Sequence, residues 1–175
     1  TGFDNMHIDG TSTVCSFTQD ESGMMWLGTE NGLYSYDGCN FYPHFERRDI
    51  ANSRVHSLCM RDGMIYLGTE NGLMIYDIHA GRYVEKAKKG PRDIRAMLMM
   101  NDRMLIGTSR GLYVKKGNSI RYAAEYGISQ TVYSMLNTHW GQLIGTINGL
   151  YVINGNHARR IMIGTGRQPL VNAII

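Results

Sequence analysis

The chain is short of several things, and each shortage excludes something. No apolar run approaches the roughly 18 residues that span a bilayer, so no membrane helix is read in it. The opening Thr1-Gly-Phe-Asp has neither a basic segment nor an apolar one, so no signal peptide is read there. It also lacks an initiator Met, as at a processed or an artificially made end. Charge of one sign is not in excess: 18 Lys and Arg stand against 15 Asp and Glu, a net +3. Read as small and scattered, that charge argues against nucleic acid contact. The basic cluster Lys86, Lys88, Lys89, Arg92 reads as a solvated loop. Cysteine is limited to Cys15, Cys39 and Cys59. They have no Cys-x-x-Cys spacing and no His at zinc-site spacing. The odd count argues against a disulfide framework, with buried or semi-buried structural thiols as the default. Proline is scarce at 3.

What is present is glycine, 21 residues of it, and glycine supplies the positive φ of tight hairpins. Aligned on Gly-Thr, the chain reads LGTENGLYSYD from Leu27, LGTENGLMIYD from Leu67, IGTSRGLYVKK from Ile106 and IGTINGLYVIN from Ile144. The leading glycines are Gly28, Gly68, Gly107 and Gly145, spaced 40, 39 and 38 residues apart. A second landmark comes about 13 residues earlier in each copy: VCSFT at Val14, VHSLC at Val55, IRAML at Ile94 and VYSML at Val132. A fifth copy, VNAII, begins at Val171.

Each copy holds strand-length apolar runs without helical periodicity. In the fourth, VYSML, QLIGT and LYVIN read as strands. Ile147-Asn-Gly149 is their tight turn, with Asn and Gly where φ > 0 is wanted. A weaker fourth strand is expected near Phe41–Phe45, Arg82–Lys86, Ile120–Ala124 and Arg160–Ile163. Four antiparallel strands per 38–40 residues is the signature of β-propeller blades. The fold class is therefore all-β: four four-stranded blades plus the first strand of a fifth, as part of a larger seven- or eight-bladed ring. Residues 1–175 form one partial propeller, with blades at about 12–52, 53–91, 92–130 and 131–168 and a fifth from 169. Position three of the first strand is small throughout (Ser16, Ser57, Ala96, Ser134, Ala173), as crowding near an axis would require. Phe17, Leu58, Met97 and Met135 face one way and Val14, Val55, Ile94 and Val132 the other, while Trp26, Tyr66, Leu105 and Leu143 form a packing layer between blades. Open ends would expose apolar faces. The chain is then a fragment of a larger ring, half of a two-copy ring, or a small ring closed by Phe3–Ile8.

Asp20-Glu-Ser-Gly23-Met-Met-Trp26-Leu-Gly-Thr-Glu-Asn-Gly-Leu-Tyr-Ser-Tyr36-Asp37 resembles the two-component regulator propeller repeat. The second copy, Asp62 to Asp77, keeps most of it; the third and fourth lose the Trp and the terminal Tyr-Asp. The resemblance covers about residues 12–175. It implies the periplasmic sensor region of a Bacteroides-type hybrid two-component protein. In that family the propellers precede a β-sandwich, a membrane helix, a histidine kinase, a receiver and an AraC-type DNA-binding domain. The resemblance further implies carbohydrate sensing, a homodimer whose geometry changes on ligand binding, and contacts with the rest of the propeller and an adjacent sensor domain. None of the kinase or DNA-reading machinery lies in these residues.

No catalytic motif emerges. The histidines (His7, His44, His56, His79, His139, His157) share no blade position, and only His56 falls in an inner strand. The slot just inside the strand entry holds Cys15, His56, Arg95 and Tyr133, with Asn172 in the fifth copy, so no metal ring forms. No cofactor is implied. Glu30 and Glu70 read as exposed turn residues. A ligand face is expected from the entry loops (Asn52-Ser-Arg54, Arg92-Asp93, Ser129-Gln-Thr131, Gln168-Pro169) and the hairpins (Glu30, Asn31, Glu70, Asn71, Arg110, Asn148). Sugar recognition needs planar polar groups and an aromatic platform. The expected ligand residues are Arg95, Tyr133, Arg110, Gln130, His56 and Arg54. Trp140, in an opposite-face turn, would meet a neighbouring domain. The alternatives are a polysaccharide lyase or glycosidase, with Asp93 as the one carboxylate at the channel mouth, or a scaffold for protein contacts.

Overall fold

Each repeat carries short runs that alternate in burial and end in glycine-bearing turns, and each folds as a four-stranded antiparallel meander. A computed structural model describes residues 12–45, 53–84 and 90–162. The strands are β1 (Val14–Gln19), β2 (Met25–Thr29), β3 (Gly32–Tyr36), β4 (Phe41–Pro43), β5 (Val55–Arg61), β6 (Met64–Thr69), β7 (Gly72–Asp77) and β8 (Arg82–Val84). They continue as β9 (Ile94–Met99), β10 (Met104–Thr108), β11 (Gly111–Lys116), β12 (Ser119–Tyr122), β13 (Val132–Thr138), β14 (Gly141–Thr146), β15 (Gly149–Asn154) and β16 (His157–Ile161). In every sheet the spatial order is the chain order. The sheets are β-propeller blades.

The fourth strands deviate slightly from expectation. β12 stops at Tyr122, and a 3-10 turn, Ala124–Tyr126, follows it. β16 starts at His157 because Asn154 pairs directly with it, across a turn in which Gly155 takes φ +61°. Val171–Ile175, Phe3–Ile8, His7, Asn52, Lys86, Lys88, Lys89, Gln168, Pro169 and Asn172 lie outside the described residues. Among those described, no helix is long and apolar enough to cross a membrane.

The chain divides into two compact units, Thr1–Ile94 and Arg95–Ile175. The first packs Trp26, Leu33, Val55, Ile65, Leu67 and Tyr76 together. The second packs Leu105, Leu112, Val132, Ile144 and Ile153, among others. Each such side chain, when fully buried, contributes about 1.5–3 kcal/mol. Trp26 and Leu105 thus join the buried layer as expected, whereas Tyr66 and Leu143 are only half-buried.

The repeated glycine has a specific reason. Val55, the first residue of β5, sits over Gly28 of β2, and a Cβ at Gly28 would lie 2.7 Å from its Cγ1. Ile94 sits over Gly68, 2.6 Å from the same imagined atom. Val132 sits over Gly107 in the second unit. The small third position follows from the same contact. Ser16 pairs with Gly28, Ser57 with Gly68 and Ser134 with Gly145. The Ser16 hydroxyl also accepts the Leu58 N–H at 3.1 Å, tying the first two sheets together. The small third position thus has a local contact, the glycine that it faces across the ladder. The first copy departs from the pattern: Val14 is 45% and Phe17 69% exposed.

The hairpins also differ from expectation. Of the glycine-closed turns, Gly32 takes φ +106° and Gly149 φ +118°, but the Asn before each does not take positive φ. A threonine replaces that need. Thr29 Oγ1 donates to the Gly32 carbonyl at 3.0 Å and accepts the Asn31 N–H at 3.0 Å. Thr69, Thr108 and Thr146 repeat both bonds. The Asn31 and Asn71 amides instead donate to Ser12 and Ser53.

Candidate functional site

The slot that the sequence singles out has a backbone cause. The register slips between Val14 and Ser16, between Val55 and Ser57, and between Val132 and Ser134. Cys15, His56 and Tyr133 are therefore the extra residues of β-bulges. A bulge takes its residue out of the ladder and re-aims the side chain, and so frees it from the blade's packing pattern.

In the second unit, four of the six expected ligand residues come to one end of two sheets. Arg95, the second residue of β9, places its guanidinium carbon 5.5 Å from the centre of the Tyr133 ring, within cation–π range. Tyr133 remains 50% exposed. Arg110 is exposed on the β10–β11 turn. That turn is bound to the segment leading into β13: Thr131 Oγ1 donates to the Ser109 carbonyl at 3.1 Å, and Leu112 N–H to the Ile128 carbonyl at 3.1 Å. Gln130 lies on this segment, but its amide oxygen is buried without a partner among the described residues. It points inward rather than at solvent.

The other two expected residues serve the first unit's own structure. The Arg54 guanidinium is paired with the Glu30 carboxylate. Its carbonyl accepts the Glu70 N–H at 3.2 Å. Arg54 thus ties two sheets at the hairpin end, and Glu30 is more than an exposed turn residue. His56 Nε2 lies 3.5 Å from Asp93 Oδ1, and Asp93 adopts φ +50° while donating its N–H to the Glu70 carbonyl at 2.9 Å.

The first unit also holds a concavity that sequence reasoning missed. An open cleft of about 950 Å³ lies at the opposite strand ends, between the β1–β2, β5–β6 and β7–β8 turns. Asp20, Asp62, Arg61 and His79 contribute to its walls. Asp20 is internally engaged, accepting from Ser22, Met24 and, at 2.9 Å, the Trp26 indole. Burial acts to raise its pKa, but these bonds outweigh burial and hold the carboxyl below its ordinary value. The residues that line this cleft include no Phe, Tyr or Trp, so the aromatic-basic rim is the better candidate. Trp140 is 47% exposed in the β13–β14 turn, its ring tilted against that of His139 with centres 4.4 Å apart. Among the described residues, no group of three or more His, Cys, Asp or Glu could hold a metal ion.

Four-stranded antiparallel meanders repeated along the chain are the blades of a β-propeller. Among solved structures, the chain is similar to the extracellular domain of the hybrid two-component system BT4673 from B. thetaiotaomicron, at 29% identity and a TM-score of 0.81 over 90% of this chain. It spans 22% of that chain's length. The extracellular domain of the hybrid two-component system BT3049 from the same organism matches at 16% identity and TM-score 0.69, over 86% of this chain and 24% of that one. The WD40 β-propeller domain of Doa1 matches at 13% identity and TM-score 0.60, over 79% of this chain and 50% of that one. The last two speak to the fold. The first agrees with the resemblance read from the repeat. Both Bacteroides matches are extracellular domains of hybrid two-component systems. No protein-family model matches the chain, and no curated protein matches it.

Proposed function

We propose that this chain is a ligand-binding segment of the periplasmic sensor region of a hybrid two-component protein, with an oligosaccharide as ligand. The signal passes to a cytoplasmic histidine kinase through a homodimer. The observation that carries the reading is the rim at which Arg95 stacks on an exposed Tyr133. An aromatic face covers a sugar ring's C–H face, and a guanidinium offers several donors in one plane to hydroxyl groups. The similarity to the BT4673 extracellular domain supports the sensory setting. The test is calorimetry with a panel of plant and host oligosaccharides on the 175-residue chain. At least one should bind, and both Arg95→Ala and Tyr133→Ala should weaken it about tenfold or more, as for loss of a charged or stacked contact. Unchanged binding in both variants would remove the site assignment.

A further inference from the structure

The net charge of +3 conceals a segregation. The first unit carries nine Lys and Arg against thirteen Asp and Glu, and the second nine against only two. The charge is therefore not scattered, as the whole-chain sum suggests. Both acids of the second unit are engaged. Asp102 sits in the β9–β10 turn, away from the rim, 3.7 Å from the Lys116 ammonium. Glu125 accepts two bonds from Arg121, at 2.6 and 2.9 Å. Arg95, Arg110 and Arg160 lie at the strand ends of the two sheets where Tyr133 lies. From β16, Arg160 donates to the Asn148 carbonyl of the β14–β15 turn.

We propose that the rim of the second unit selects an anionic saccharide, one bearing carboxylate or sulfate groups, over a neutral one. The inference rests on the saccharide reading given above and names its ligand class. The physical reason is direct. Guanidinium groups pair with carboxylate and sulfate through two parallel charge-assisted hydrogen bonds, whereas a neutral hydroxyl takes one weaker bond. Within the second unit both carboxylates already face a cation, Asp102 facing Lys116 and Glu125 facing Arg121, and just ahead of Arg95 the Asp93 carboxylate faces His56. The net positive field speeds an anion's approach. Tyr133, stacked with Arg95 at 5.5 Å, supplies the apolar platform that an inorganic anion would not use.

The test compares three tetrasaccharides of equal length by calorimetry on the full 175-residue chain: a uronate, a sulfated and a neutral one. A duplex DNA of similar charge is the fourth probe. At least one anionic sugar should bind about tenfold or more tighter than the neutral one, and its affinity should fall as salt rises from 50 to 500 mM. Comparing the uronate and sulfate arms identifies the group read. Arg95→Gln and Arg110→Gln should each lower that affinity about threefold to tenfold. Lys116→Gln, at the far strand ends, should leave it unchanged. Thermal unfolding of each variant controls for folding, and Arg95→Lys, which keeps the charge, should restore the salt dependence. Equal binding of the neutral sugar would overturn the anion preference and leave the saccharide reading standing. Absence of binding by all three sugars would overturn the saccharide reading itself. DNA binding as tight as the anionic sugar, or an equal loss in Lys116→Gln, would reduce the rim to non-specific charge and overturn the proposal.

Discussion

Replacing Gly28 with alanine tests whether the sheets interlock as described. The added Cβ would lie 2.7 Å from Val55 Cγ1, 3.2 Å from Val55 Cβ and 3.3 Å from Leu58 Cγ. Val55 is fully buried and β-branched, so it cannot rotate out of the way. Overpacking of a tight core costs about 1–3 kcal/mol. Glycine to alanine at an ordinary backbone angle returns about 0.4–1 kcal/mol through the unfolded chain. The expected net loss is therefore about 1–2 kcal/mol. Urea unfolding of Gly28→Ala would be followed by Trp26 fluorescence in a Trp140→Phe background, since these are the two tryptophans. The midpoint should fall with an unchanged slope. Val55→Ala alone should cost about 2 kcal/mol by leaving a cavity. The double variant should be more stable than the sum of its parts by about 1 kcal/mol, because the new methyl fills part of that cavity. A neutral Gly28→Ala, or strict additivity in the double variant, would refute the interlocking contact.

Two further predictions concern titration and thiol chemistry. Hydrogen bonds from Arg121 hold the Glu125 carboxyl down to about 2. Since its folded pKa is depressed, the pair's contribution is present above the ordinary carboxylate range and is lost as pH falls toward about 2. Solvent exposure keeps the contribution to stability small. Side-chain carbonyl NMR should place the Glu125 midpoint near 2 and, in Arg121→Gln, return it toward the ordinary range. Burial pushes the Cys59 thiol up to about 12, whereas Cys15 and Cys39 are exposed. A disulfide reagent at about pH 8 should therefore modify two thiols quickly, and the third only on unfolding, since the thiolate is the reactive form.

The fold was legible because the residues that build a blade are those that every blade must share. Gly28, Gly68 and Gly107 recur since each receives a side chain from the first strand that follows. Thr29, Thr69, Thr108 and Thr146 recur since each closes its own turn. The motif's Asp20 and Trp26 go together because one accepts the other's indole N–H. Pattern alone located these residues but assigned the turn asparagines a positive φ they do not take, and did not show that the small third position faces a glycine across the ladder. Both depend on which atoms meet across strands, and spacing does not report that. The ion pair of Arg54 and Glu30 was hidden for the same cause, because its partners are separated by most of a repeat.

The site obeys the opposite rule. In β1, β5 and β13 the bulged residue leaves the ladder and is freed from the pattern its neighbours follow. Cys15, His56 and Tyr133 differ at that position, and Arg95 holds the equivalent place in β9. A stretch of sequence that breaks the repeat's agreement at this one slot is therefore where recognition can be written at little cost in stability. Composition could not show how those variations group. The whole-chain charge averages an acidic unit against a basic one, and only the division at Ile94 and Arg95 separates them. On the proposed saccharide reading, specificity then depends on which neighbouring slots and turns are filled together. Arg95 with Tyr133 and Arg110 forms such a group, whereas His56 and Arg54 are each bound to a carboxylate of their own unit.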